Sequence, residues 1–339
     1  MRRGTFLLFV FPSVLMMGLF IAVPLVTVAV QSFANTQRVY RQEKVENCSP
    51  GFPNPVCTTE DHTVPLLDEL GQPQTRTEWV GLANYAAVVQ PGAVAAALGG
   101  SGLAALGNID FFRALRFTLT FTLITLPLVI VLGLCLALAL NATGRLIRGP
   151  VIFASLLPFI VTPVIGALSI RWLFDGDGIL TAALERILGH PVSMLAHDWT
   201  LELLMMGYRV WSTAPFAFVI FYAGLQGVNQ DTIESAVIDG ASRWERLRHV
   251  VLPHLAPLIL FVALIHLMDA YRVFDEVVGF SSQAYVISLQ WLTFDLLTPN
   301  SSGIRAIGRA SASSMLTMAG IVLLLTPLLV RSWRDRKRG

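Results

Sequence analysis

Apolar residues along this chain gather into long unbroken runs instead of alternating with polar ones. Six such runs stand out: Phe6–Val30, Phe117–Leu140, Val151–Ile170, Leu203–Leu225, Leu255–Ala270 with an extension to about Phe274, and Ser314–Val330. Each comes close to the roughly 20 residues that carry a helix across a hydrocarbon core. Barrel strands would show alternating polarity over about 10 residues, so continuous runs predict helices. The fold class expected is an all-α membrane protein with six transmembrane helices. The first run follows Arg2 and Arg3 as a secretory signal would, but it lacks a small-residue cleavage site and is read as a retained helix.

Charge sets the orientation. Only 14% of the 339 residues are charged, against about a quarter in soluble domains, and the net charge is +2. So small a balance gives no electrostatic basis for binding nucleic acid. With the N-terminus inside, the internal segments hold Arg2, Arg3, Arg145, Arg148, Arg243, Arg246, Arg248, Arg331, Arg334, Arg336, Lys337 and Arg338, twelve of the 24 Lys and Arg. This bias places both termini in the cytoplasm. The chain then divides into a first transmembrane helix (1–32), a periplasmic loop (33–112), a five-helix core (113–331) with an internal loop at 226–253, and a basic cytoplasmic tail (332–339).

The external loop carries Cys48 and Cys57 among Pro50, Pro53 and Pro55, and an oxidising compartment permits a bridge between them, two free thiols being the other reading. Cys135 lies within the second run and reads as packing. Residues 35–79 are polar and read as a surface excursion, and the Ala/Gly-rich stretch from Pro91 to Gly107 is too low in complexity to assign. In the second external loop, Asp175-Gly176-Asp177-Gly178 signals a turn, with a short amphipathic helix following at Leu180–Leu188. Two carboxylates without further ligands fall short of a calcium site.

The internal loop is the most informative segment. Asp231 is the expected N-cap of a short helix, with Glu234 as its capping-box partner. Gly240 then permits a sharp turn after Asp239, and a second helix is expected from about Ser242 to just before Pro253. Ile233, Ala236, Val237, Ile238, Leu247, Val250 and Val251 give this elbow an apolar face that requires a cover, and a soluble partner protein suits it.

Glu234-Ser235-Ala236, Asp239-Gly240-Ala241 and Leu252-Pro253 together resemble the EAA signature of ABC importer permeases. Trp79–Tyr85 is similar to the V-G-L-x-N-Y segment of the sugar-importer branch that includes the maltose permeases. Leu157-Pro158, Trp172-Leu173-Phe174, Trp211, Pro215-Phe216, Ala223–Gln226 and Phe274–Val277 match further elements of that branch in order. The resemblance runs from about Gly81 to the C-terminus. It departs where sugar permeases carry L-T-x-G-G-P and this chain has Val278–Ser282, and in the Pro/Thr-rich insert before Trp79.

The resemblance implies a bacterial inner-membrane permease, surrounded by lipid and paired with a second permease around a central path. Two ATPase subunits would dock beneath, and a periplasmic solute-binding protein would deliver a sugar-like solute. ATP and Mg would sit on the ATPase subunits, since this chain lacks a G-x-x-x-x-G-K-S/T loop and is expected to bind no cofactor or metal and to catalyse nothing. Glu234, Ala236, Asp239, Gly240, Ala241 and Pro253 would couple the permease to the ATPase. Sugar-contacting positions of the maltose permeases fall on Phe159, Pro163, Ser212, Thr213, Phe216, His266 and Asp269.

Intramembrane charge points to the same place. Arg209, His266, Asp269 and Arg272 lie in the fourth and fifth runs, and such residues commonly face a cavity. At about 1.5 Å rise per residue, Arg209 and Asp269 sit at similar depths in antiparallel helices, while positions 266, 269 and 272 share a helical face. Solute contact and a structural ion pair both fit Arg209 and Asp269. A permease for a charged solute such as an amino acid, polyamine or opine is the nearest alternative. A secondary transporter would show internal repeats, and a membrane hydrolase a nucleophile set or metal cluster; neither pattern is found.

Overall fold

Helix-forming runs become helices at nearly every expected position. The computed structural model describes residues 3–49, 56–67, 71, 74–176, 178–299 and 304–338. Among them, five helices are long and apolar enough to cross a membrane: Phe9–Gln31, Asp110–Asn141, Asp198–Gln226, Arg243–Tyr271 and Ile307–Arg331. A sixth crossing requires two shorter helices taken together, and the protein is accordingly a multi-pass membrane protein.

That sixth crossing corrects the expectation of a straight helix over Val151–Ile170. Leu146–Ile160 and Pro163–Phe174 meet at a 93° bend. Val161 and Thr162 are extended, with ψ of 134° and 133°, and Pro163 opens the second helix. A proline ring clashes with a helical predecessor, which pushes Thr162 out of the helical region. The proline also lacks an N–H, so it is tolerated in the first turn of the second helix.

The fifth span shows the opposite outcome. Its helix was expected to begin after a separate elbow helix ending before Pro253, yet the chain stays helical from Arg243 to Tyr271. A π turn at Leu247–Val251 precedes Leu252–Tyr271, and Pro253 falls in the first turn after it. The wider turn relaxes the usual hydrogen-bond register just where the proline ring needs room.

Two units are distinguished by their internal packing. The larger comprises residues 95–292 and 317–339. In it the second, fourth and fifth spans share a core of Val129, Ala137, Leu140, Ala217, Phe218, Phe221, Leu255 and Val262. Lipid tails are as apolar as these side chains, so close packing, rather than escape from water, holds such helices together. A second core joins Phe117 and Phe121 to Met205, Tyr208, Ala270, Val277 and Phe280. A short helix, Asp275–Gly279, belongs to that core and lies against Pro163–Phe174. Its Gly279 admits this approach, since a Cβ there would stand 2.5 Å from Ala167 Cβ and 2.9 Å from Val164 O.

The smaller unit comprises residues 1–94 and 293–316. None of Phe9–Gln31 is buried, and Phe9, Phe11, Leu15, Phe20 and Ile21 are exposed, as suits a helix in lipid. Beyond it the chain forms strands, which the polar composition of 35–79 did not suggest. β1 (Ala34–Arg38) pairs antiparallel with β4 (Thr75–Trp79), and β2 (Tyr40–Ser49) with β3 (Val56–Pro65). The register sets Cys48 opposite Cys57, with their side chains outside those described. Asn84, in the helix Ala83–Val89, ties this unit to the end of the first span: its Nδ2 donates to Ser32 O at 3.0 Å and to Ala34 O at 3.2 Å.

Two further segments answer the sequence reading. Pro91–Ala96 is a helix, followed by a π turn at Ala97–Ser101 and a 3-10 turn at Leu103–Asn108, where no structure was assigned. Asp175 closes the expected turn, accepting from Gly178 N at 2.7 Å, and Ile179–Leu188 is the expected short helix; Asp177 lies outside the described residues.

Candidate functional site

Arg209 is buried within the fourth span, Asp198–Gln226. Its side chain is 9% exposed, and its Nη1 donates to Asp269 Oδ2 at 2.6 Å, as matched depth in antiparallel helices predicted. The arginine has a second acidic partner that sequence reasoning missed. Nη2 donates to Glu276 Oε2 at 2.9 Å, and Nε lies 2.5 Å from Glu276 Oε1. The Glu276 side chain is 1% exposed, whereas that of Asp269 is 59% exposed. The guanidinium also faces the Phe121 ring, 5.7 Å from its centroid, where the negative ring face favours a cation.

Glu276 lies two residues beyond Phe274, where the apolar run ends, so the apolar pattern does not mark it as an intramembrane charge. Phe274–Val277 had marked the segment only as a family resemblance. The fold returns it inward through the Asp275–Gly279 helix.

The shared face expected for residues 266, 269 and 272 divides. Arg272 stands just past the helix end, with φ −95° and ψ 26°, and is exposed. His266 is 1% exposed and turns into the bundle, its Nε2 lying 3.0 Å from Thr125 Oγ1. Thr125 spends its proton on Phe121 O at 2.8 Å, so it accepts from His266, whose Nε2 therefore carries the hydrogen. Nδ1 is buried without a hydrogen-bond partner, and a second N–H carrying a charge would be costly there, so the neutral imidazole is favoured. Of the two residues expected to meet solute from the fifth span, Asp269 is open and His266 is closed off behind it.

Arg209, Ser212, Thr213 and Phe216 follow the i, i+3, i+4, i+7 spacing of one helical face. Ser212 Oγ donates to Arg209 O at 3.2 Å, and Ser212, Thr213 and Phe216 are half-buried. At the far end of the stripe, about 10 Å from Arg209 by helical rise, the Phe216 ring stacks on Phe159 with centroids 5.9 Å apart. Phe159 and Pro163 are exposed. Pro163, at the break of the third crossing, accepts from the Tyr208 hydroxyl at 2.8 Å, which anchors the broken helix to the fourth span. A polar end with one open carboxylate, two hydroxyls along the middle and an aromatic end can hold a molecule bearing both hydroxyls and an apolar face.

The internal loop forms the expected elbow with different caps. Asn229, not Asp231, caps the helix Gln230–Ile238: its Oδ1 accepts from Asp231 N at 2.8 Å. Asn229 presents a short acceptor in the extended conformation an N-cap needs, and Asp231 falls inside the first turn, where its charge suits the helix dipole. The helix ends in a Schellman motif, with Gly240 N donating to Val237 O at 3.1 Å and Ala241 N to Ala236 O at 2.9 Å. Gly240 has φ +80°, the left-handed conformation foreseen for it. Thus Ala236, Asp239, Gly240 and Ala241 form a single C-terminal cap.

The capping box lies at the start of the next helix, Arg243–Arg246. Ser242 Oγ accepts from Glu245 N at 3.3 Å, and Glu245 Oε2 accepts from Ser242 N at 2.7 Å. Glu234 is exposed on the first elbow helix, and Val237, Ile238 and Trp244 present exposed apolar surface around it.

Residues 96–335 match the family model described as binding-protein-dependent transport system inner membrane component. The chain is 30% identical over 239 residues to the trehalose/maltose transport system permease protein of Thermococcus litoralis, covering 69% of this chain and 79% of that one. It is 32% identical over 167 residues to the trehalose transport system permease protein of Mycobacterium tuberculosis, covering 49% of this chain and 53% of that one. Its fold is that of a chain in the crystal structure of a bacterial ABC transporter involved in the import of the acidic polysaccharide alginate, with TM-score 0.69 and 18% identity over 98% of this chain and 96% of that one. On the extent of the family match and the likeness to the Thermococcus permease, the chain belongs to the binding-protein-dependent transport system inner membrane components.

Proposed function

We propose that this chain is the permease subunit of an ATP-binding-cassette importer for a sugar-like solute in the bacterial inner membrane, with both termini in the cytoplasm. The observation that carries the reading is the stripe from Arg209 and Asp269 through Ser212 and Thr213 to the stacked Phe216 and Phe159. Hydroxyl partners beside exposed aromatic carbon are the chemistry that sugars require. The trehalose and maltose systems named for its relatives favour the same class over amino acids, polyamines or opines.

In this reading the elbow docks on an ATPase subunit through Glu234, Val237, Ile238 and Trp244, while ATP and Mg stay on that partner. Pro253 begins the fifth span directly behind the elbow and passes its motion to Asp269 along one continuous helix. A second permease completes the path, and a periplasmic solute-binding protein supplies the solute. Cys48 and Cys57, opposite one another in the β2–β3 hairpin, form a bridge on the periplasmic side. The test is reconstitution of the complete complex in liposomes with its binding protein. Uptake of labelled trehalose or maltose oligosaccharides, with ATP hydrolysis stimulated by the loaded binding protein, is expected. Uptake confined to an amino acid or polyamine would overturn the sugar reading.

A further inference from the structure

The ion cluster around Arg209 contains one more acid than base. Arg209 meets two carboxylates, and the two are unlike. Glu276 faces it with both oxygens from a site that is 1% exposed, so this acid is sealed against the arginine. Asp269 touches a single nitrogen and leaves its side chain 59% exposed. A buried charge is retained only when it is matched, and Glu276 and Arg209 match each other. The remaining charge of the cluster is therefore that of Asp269.

The other ionisable groups at the outer end of the fifth span do not cancel it. His266 donates from Nε2 and leaves Nδ1 buried without a partner, where a charged ring would be costly, so burial favours its neutral form. Arg272 and Asp275, the other charges of this stretch, are one of each sign.

We propose that Glu276 is the resident counter-ion of Arg209, that Asp269 is the carboxylate left to the transport path, and that the site thereby admits neutral or cationic sugars and disfavours anionic ones such as uronates and sugar phosphates. This rests on the stripe being part of the path. Glu276 is a positioning residue: it holds the arginine and keeps it from serving as an anion receptor. An arginine on such a path with no counter-ion of its own would select for anionic solutes.

The local potential can be read directly on the assembled complex. A Ser212→Cys thiol, one helical turn from Arg209, is treated with methanethiosulfonates bearing either a trimethylammonium or a sulfonate group. Modification of the residue-212 peptide is followed by mass spectrometry, and the ratio of cation to anion rates is normalised to free cysteine. The ratio is expected above one. Asp269→Asn and Glu276→Gln should each lower it severalfold, because removing one negative charge acts oppositely on the two reagents.

A ratio at or below one, or a ratio unmoved by Glu276→Gln, would overturn the proposal and leave the stripe's place on the path intact. Reaction with neither reagent would overturn both. Glu276→Gln keeps a hydrogen-bonding side chain on Arg209 and Asp269→Asn alters an exposed one. Should the first fail to assemble, the second decides by itself, an unchanged ratio counting against the proposal.

Discussion

The Arg209 cluster and the internal elbow are both built from polar groups, and they are held by different kinds of contact. At the elbow, Asn229 reaches two residues ahead, Ala241 five back and Ser242 three ahead, none of them on buried chain. In the cluster, Arg209 reaches 60 residues to Asp269 and 67 to Glu276, with the Phe121 ring facing its guanidinium. Water can substitute for a lost partner at the elbow and has little access to the interior of the cluster. The contrast separates the cost of losing an interaction from its functional weight: a lost partner is costly in the cluster and cheap at the elbow, where the proposed coupling role falls.

Arg209→Met should have the largest effect, because it strands Glu276 as a buried, unmatched acid at a cost of about 3–5 kcal/mol. Thermal unfolding of the purified complex would measure it, and Glu276→Gln in the same chain should recover much of the loss. Removing Arg209 and Asp269 together, which an isolated Arg–Asp pair would recommend, leaves Glu276 in the same state and should rescue little. If Arg209→Met is as stable as the parent, the two regions do not differ as described.

Gly240→Val comes next. Nothing lies within 4 Å of a Cβ at that position, so the penalty is purely that of φ +80°, about 1–3 kcal/mol confined to the elbow. Membrane assembly and the reactivity pattern at residue 212 should persist, while stimulation of ATP hydrolysis by the loaded binding protein should be lost. Gly240→Asn, which tolerates left-handed backbone, should retain most of that stimulation. Full stimulation in the Val variant would remove the elbow from the coupling path.

The smallest effect expected is from Ser242→Ala, which removes one half of an exposed capping box at about 0.5–2 kcal/mol. It should loosen the start of the fifth span without shifting global unfolding, and amide exchange at Arg243–Arg246 would detect it. A drop in global stability as large as that of Arg209→Met would erase the distinction between local and long-range support.

What the sequence determined unaided was much of what depends on near neighbours along the chain, although the caps at Asn229 and Ser242, local as they are, differ from those expected. Runs of apolar residues dictated the crossings, because a helix satisfies its own backbone wherever it lies. Gly240 announced a left-handed turn, and helical rise alone brought Arg209 level with Asp269. The break at Thr162–Pro163 was also present in the residues, though the apolar run around it reads as continuous, and Pro253 carries the same local signal with the opposite result. Tertiary structure bears on that difference through the Tyr208 hydroxyl that donates to the Pro163 carbonyl, while a local π turn gives the Pro253 ring room. It also decided that Tyr40–Ser49 and Val56–Pro65 pair as strands, since a ladder needs a partner that polar composition does not name. Above all it decided that Glu276 returns to Arg209 and that His266 turns away to Thr125. Which acid is sealed and which stays open depends on how helices from distant parts of the chain pack, and sequence spacing holds no record of that.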